Sequence, residues 1–230
     1  MFYHSCGTQV GNDVQFCPSC GQPLGAPGSL ATSTVIPWTP PVGVTAQTGR
    51  WIGAGWQLVK QDLGIFVLVS IVFALINSVP LIQGSMMAGF HIFCMKKLLG
   101  RPADFADLFK GFNFFVPALV ASLVISLFTF AGTLLCIIPG LVVAAMYKFT
   151  YLFIVDKRMD FWQAMQASHA IAKNDYFGFT MFLLAMVGVN ILGVLCCIVG
   201  VFVTIPITFA AITVAYKEIV KFDPRTVDSL

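Results

Sequence analysis

The sequence predicts an all-α integral membrane protein: six transmembrane helices in three hairpins, with interfacial amphipathic helices and a small Cys-rich metal module ahead of them. Three observations carry this reading. Of 230 residues, 58% are hydrophobic and only 10% are charged, whereas a typical soluble domain is roughly 45–50% apolar and about 25% charged. Apolar runs recur at the ~20 residues that a helix needs to cross a bilayer. Lys and Arg collect in alternate connections between those runs, while the intervening turns hold no charge. A soluble globule is thereby excluded. The net charge of +3 excludes a nucleic-acid binder built on a basic face, and seven thinly spread Cys exclude a secreted disulfide scaffold.

Residues 1–24 form the first unit. Cys17-Pro18-Ser19-Cys20-Gly21, following Phe16, is a metal knuckle: a C-x-x-C turn sets two thiolates on one face of a tetrahedron, and Gly21 permits the left-handed turn after the second. The start, Met1 to Cys6, has neither a basic n-region nor an apolar h-region, which places the amino terminus in the cytoplasm. In that reducing compartment closely spaced cysteines are metal ligands more often than disulfides.

A flexible linker is expected over residues 25–49, rich in Pro, Gly, Thr, Ser and Ala. As a coil its reach is roughly 25–30 Å.

The membrane domain is expected over residues 50–221, followed by a cytoplasmic tail at 222–230. Apolar stretches lie near 63–79, 80–95, 112–131, 134–155, 176–195 and 198–216, the first two short for a span. The charged connections are Lys96, Lys97, Arg101 and Lys110 after span two, Lys157, Arg158 and Lys173 after span four, and Lys217, Lys221 and Arg225 after span six. By the positive-inside rule these are cytoplasmic, and the neutral turns near 77–79, 132–135 and 196–199 are external. Both chain ends are then expected on the cytoplasmic side of the membrane.

Each hairpin is introduced by an amphipathic segment. The first sets Ile52, Trp56, Val59 and Leu63 against Arg50, Gln57 and Gln61. The second, opening at Pro102, sets Phe105, Leu108, Phe109 and Phe112 against Asp104, Asp107 and Lys110. The third sets Phe161, Met165, Ser168 and Ala172 against Gln163, Gln166, Ala170 and Lys173. Their aromatic residues, with Trp51, Trp56 and Trp162, suit the headgroup boundary. Lys60-Gln61-Asp62 recurs as Lys173-Asn174-Asp175, and three copies of one unit are read. Gly64, Ala74, Gly84, Ala88, Gly89, Gly132, Gly188 and Gly193 are candidates for close helix packing.

Ionisable groups within spans default to functional hypotheses. Lys148 is expected to snorkel toward the inner surface, His91 to be a packing residue, and Asn190 to bond across helices to one of Ser122, Ser126, Thr129, Thr204 or Thr208. The spans hold no acidic residue, which argues against an ion-coupled transporter. Cys136, Cys196 and Cys197 at the external turns are expected to be buried small hydrophobes, with a Cys136 bridge to one of the pair as the alternative. No Gly-rich phosphate loop or nucleophile elbow is present, and no enzyme is expected.

Ten residues before the knuckle, Tyr3-His4-Ser5-Cys6-Gly7 resembles the first arm of the short amino-terminal zinc ribbons found on many bacterial membrane proteins. The resemblance runs through Val10, Phe16 to Gly21 and Leu24, and implies structural zinc on Cys6, Cys17 and Cys20. It departs at one ligand: the family places Cys where Tyr3 stands, leaving His4 as the candidate fourth ligand. From Phe105 to Tyr216 the chain resembles uncharacterised bacterial proteins related to the membrane domain of glycerophosphodiester phosphodiesterases. That likeness rests on Asp107-Leu108-Phe109-Lys110-Gly111-Phe112, Ile138-Pro139-Gly140, Val155-Asp156, Ala164, Ser168, Ile205-Pro206 and Tyr216. It implies a six-helix domain that accompanies activities rather than performing them.

The expected function is that of a non-enzymatic accessory or scaffold protein, with membrane lipids and a cytoplasmic protein as partners and no nucleic acid. A lipid or small-molecule transporter or flippase is the alternative, marked by polar side chains facing one another across a cavity. A third possibility is a membrane-curving protein whose hairpins are re-entrant wedges.

Overall fold

A computed structural model describes residues 38–77, 81–196, 200–222 and 226–227. The chain divides into two compact units, Met1–Thr39 and Pro40–Leu230. His4, Cys6, Cys17, Cys20 and most of the expected linker lie outside the described residues. From Pro41 onward the chain is held in place. The Pro41 carbonyl accepts from the Asn174 amide at 3.2 Å, the Gly43 amide donates to Asn174 Oδ1 at 3.3 Å, and the Ala46 amide donates to Asp175 Oδ2 at 3.1 Å.

The elements run α1 (Thr48–Gln61), α2 (Leu63–Ile76), α3 (Gln83–Leu98), a 3-10 helix (Phe105–Phe114), α4 (Phe115–Leu135), α5 (Ile137–Met146), α6 (Thr150–Asp156), α7 (Phe161–Ala172), α8 (Tyr176–Leu195) and α9 (Val201–Val220). The regular structure among the described residues is helical throughout, as required where each backbone amide must be satisfied within its own segment.

Four stretches are long and apolar enough to cross a membrane: Phe105–Leu135, Ile137–Asp156, Tyr176–Leu195 and Val201–Val220. The expected first two spans are shorter. With 14 and 16 residues, α2 and α3 rise only about 21 and 24 Å at 1.5 Å per residue, against a hydrocarbon core of ~30 Å. α1 and α2 bend by 102° between them, at Asp62, whose carboxylate pairs with Lys97 at 2.8 Å. Asp175 holds the matching place between α7 and α8 and caps α8 by accepting from the Gly178 amide at 2.8 Å. The two recurring triplets thus occupy equivalent junctions between an amphipathic helix and the apolar helix that follows it.

The outer faces of α4, α5 and α8 are coated with exposed apolar side chains, among them Leu127, Leu135, Ile138, Phe177 and Leu192. An apolar coat of this kind is compatible with a membrane protein. Inside, Phe66, Phe73, Phe90, Phe93 and Phe209 make edge and stacked contacts that join α2, α3 and α9.

Two amphipathic faces differ from expectation. In α1 the buried residues are Trp51, Gly55, Leu58 and Val59, while Trp56 is exposed. Trp51 is therefore a tertiary anchor rather than a headgroup-boundary residue: its indole Nε1 donates to Glu218 at 2.5 Å, and its ring packs on Phe179 and Phe182. In the 3-10 helix Phe105 and Phe109 are exposed, whereas Asp107, Leu108 and Gly111 are buried. The tighter three-residue turn brings Gly111 onto the packed face beside Leu108, against α3. In α7 the buried set of Ala164, Met165, Ala167, Ser168, Ile171 and Ala172 includes three of the four expected residues.

Glycine makes several of these contacts possible. A Cβ on Gly89 would land on the Leu108 carbonyl, one on Gly111 on the Ser85 carbonyl, and one on Gly84 on the Ala118 carbonyl. Gly132 and Gly193 also lie in close contacts, whereas Gly64 and Gly188 face open space.

Candidate functional site

The apolar stretch Ile137–Asp156 is broken. α5 ends at Met146, residues 147–149 form a turn, and α6 resumes at Thr150. Neither Pro nor Gly stands at the break. What sustains it is a side chain from another helix: Ser168 Oγ of α7 donates to the Met146 carbonyl at 2.6 Å and accepts from the Phe149 amide at 3.2 Å. One hydroxyl thus serves a donor and an acceptor that a continuous helix would have satisfied internally. Non-helical backbone at membrane depth is tolerated where protein encloses it or where it lines a cavity, and both conditions hold here.

The break places Tyr147 and Lys148 on the wall of a partly enclosed cavity of about 270 Å³. α3 contributes Gln83 and His91, α4 contributes Ser122 and Ser126, α6 contributes Tyr151, and α9 contributes Thr208 beside Phe209. No carboxylate among the described residues lines it. Lys148 is enclosed by its surroundings yet keeps partial accessibility, as expected of a side chain facing a cavity. The carboxylates that form ion pairs among the described residues are engaged elsewhere: Asp62 with Lys97, Asp107 with Lys96 and Lys110, Asp156 with Lys157, and Glu218 with Arg50. His91 is held from behind. Its Nδ1 lies 3.1 Å from Thr213 Oγ1, whose own hydroxyl donates to the Phe209 carbonyl at 2.8 Å, so the ring donates to Thr213 through Nδ1.

Other polar groups fasten the frame around this cavity. Asp107 accepts from Lys96 at 2.6 Å and Lys110 at 2.8 Å, and from the Asp104 amide at 3.1 Å. Tyr216 donates to Asp156 Oδ2 at 3.0 Å, joining α9 to α6. Near the carboxyl end of α9, a second and wider opening of about 700 Å³ is lined by Arg50, Lys97, Lys217 and Lys221 together with Glu218.

Several residues singled out by the sequence meet here. Asn190 Nδ2 donates to Thr208 Oγ1 at 2.8 Å, the expected bond across helices. Ser122, Ser126, His91 and Lys148 line one cavity. Cys136 and Cys196 are free and exposed; they sit at turns with few neighbours, so neither burial nor a bridge between them occurs, and Cys197 lies outside the described residues. Sequence reasoning missed Gln83, Tyr147, Tyr151 and Ser168 as parts of this site. A Lys inside an apolar run was the available signal, but the helices facing it are set by tertiary packing.

Among the described residues no group of three or more His, Cys, Asp or Glu side chains could hold a metal ion. The residues that the amino-terminal motif implies for zinc, Cys6, Cys17, Cys20 and His4, lie outside the described residues. Three thiolates with one imidazole are a donor set that structural zinc takes.

Comparison with known proteins finds that residues 4–24 match the zinc-ribbon domain family. An uncharacterised protein of Mycobacterium bovis is 30% identical over 134 residues, covering 58% of this chain and 41% of that protein. Uncharacterised proteins of two Mycobacterium tuberculosis strains match to the same extent. The chain thus spans about two fifths of the length of these curated relatives. No solved structure matches.

Proposed function

We propose that this is a non-catalytic, multi-pass protein of a bacterial inner membrane that displays its zinc ribbon on the cytoplasmic side as a docking module for a protein partner. The observation that carries the proposal is the combination in one chain of a zinc-ribbon match at residues 4–24 with a helical unit whose outer face is apolar. Six crossings with both ends inside follow from the alternation of charged and neutral connections. The likeness of Phe105–Tyr216 to phosphodiesterase-associated membrane domains fits an accessory role.

The test has two parts. Cys136 and Cys196 are exposed free thiols at the turns assigned to the outside. A membrane-impermeant thiol reagent should label both in intact cells with a permeable outer membrane; labelling only after lysis of the inner membrane would refute the topology. For the ribbon, metal analysis of the purified full chain should give one zinc per chain. Cys17→Ser should abolish that zinc together with a site-specific photo-crosslink from Gln22 to a cytoplasmic protein. A crosslink that survives Cys17→Ser would refute zinc-dependent docking.

A specific observation favours the second reading, a carrier of lipids or small molecules. It is the polar cavity around Lys148, bounded by a discontinuous helix, an arrangement on which transporters build their sites. The 102° bend between α1 and α2 and the short α2 and α3 favour a re-entrant course for the first hairpin alone.

A further inference from the structure

We propose that the cavity lined by Lys148 binds a compact anionic group, a phosphate or carboxylate, carried either by a lipid headgroup or by a small soluble molecule. The inference goes beyond the docking reading and depends on neither the ribbon nor the number of crossings.

The argument begins with the cation. An ammonium enclosed by protein is costly unless an opposite charge compensates it. Among the described residues no carboxylate lines the cavity, and those in ion pairs are engaged elsewhere. A bound anion would supply the missing charge. The second observation is a surplus of donors. The Tyr147 and Tyr151 phenols, the Gln83 amide and the Ser126 hydroxyl line the same space and have no hydrogen-bond partner among the described residues. Four uncommitted polar groups around one uncommitted cation match the several acceptor oxygens of a phosphate or carboxylate.

The third observation is how Lys148 comes to be there. A continuous helix would have carried it through at the ordinary pitch. The chain instead breaks for three residues and enlists Ser168 from α7 to satisfy the backbone on either side. Ser168 is fully buried, so the break is built into the packed frame. At about 270 Å³ the cavity lies just below the range of pockets for drug-sized ligands, roughly 300–1,000 Å³. It suits a headgroup or small oxyanion rather than a large substrate.

The full chain would be purified in neutral detergent and placed in nanodiscs of phosphatidylcholine alone or with phosphatidic acid, and separately titrated with inorganic phosphate and with acetate. The native protein should bind at least one probe, with a rise in melting temperature that scales with probe concentration. Lys148→Met should weaken that binding at least tenfold, while Lys148→Arg should retain most of it. Stabilisation by phosphatidic acid alone identifies a lipid headgroup; stabilisation by phosphate or acetate identifies a soluble anion. A measurement on the native chain covers the case in which Lys148→Met does not fold: the bound probe should protect Lys148 from acetylation by a small amine reagent. The proposal is overturned if no probe binds the native protein, if Lys148→Met binds as tightly as native, or if bound probe leaves Lys148 acetylation unchanged.

Discussion

Replacing Gly89 by alanine should destabilise the protein, although alanine is the better helix former. The added Cβ would fall on the Leu108 carbonyl, while on the facing side Gly111 stands against the Ser85 carbonyl and the Gly89 amide. Backbone meets backbone, so no side chain can rotate away. To restore an ordinary contact of ~3.5 Å the 3-10 helix must retreat on the order of 1.5 Å from α3. Overpacking of this kind costs about 1–3 kcal/mol. The retreat also stretches the 2.6 Å bond between Lys96 and Asp107, one of the charge-assisted class worth about 1.5–3 kcal/mol. Against this stands a helix-propensity gain of ~1 kcal/mol. The net loss is then about 1.5–5 kcal/mol. For a chain of this size each kcal/mol moves the melting temperature by roughly 2–4 °C, so thermal unfolding of the purified full chain should fall by about 3–20 °C. Gly188→Ala, where a Cβ meets open space, should leave the midpoint unchanged or raise it. Equal midpoints for the two variants, or a Gly89→Ala midpoint above native, would refute the close-contact argument.

Two further outcomes follow from the polar contacts. Asp107→Asn should cost about 1–3 kcal/mol near neutral pH, since it removes the charge-assisted acceptor shared by Lys96 and Lys110. Equal midpoints for Asp107→Asn and native protein would contradict this. Asn190→Ala and Thr208→Val, separately and together, should show a coupling of about 0.6 kcal/mol in unfolding, the usual size for hydrogen bonds between membrane helices; strictly additive losses would mean that the 2.8 Å bond contributes no stability.

The sequence disclosed what is local and concealed what is made by partners far along the chain. The amphipathic segments and the longer apolar helices could be placed because composition and charge change within a few residues of each boundary. The Asn190 bond was legible because an amide in an apolar helix must find a partner and few hydroxyls stood at matching depth. The packed face of α1 was misread because Trp51 is claimed by Glu218, 167 residues away, and this contact outweighs the local stripe. Asp107 was taken for a solvent-facing residue because a 3.6-residue period was assumed where the chain adopts a tighter turn. The break at 147–149 leaves no mark in its own residues, since Ser168 on a later helix satisfies it. Lys148 was conspicuous as a charge in an apolar run, but its neighbours come from α3, α4 and α9, and no local pattern announces such convergence. The zinc ribbon matched at residues 4–24 was legible because a C-x-x-C knuckle is written in spacing alone.

Glu218 takes both the Arg50 guanidinium and the Trp51 indole, which bolts the opening helix of the bundle to its closing one. Shortening the helical unit beyond Arg50 on one side or beyond Glu218 on the other unpicks the same stitch, so those two truncations should fail alike.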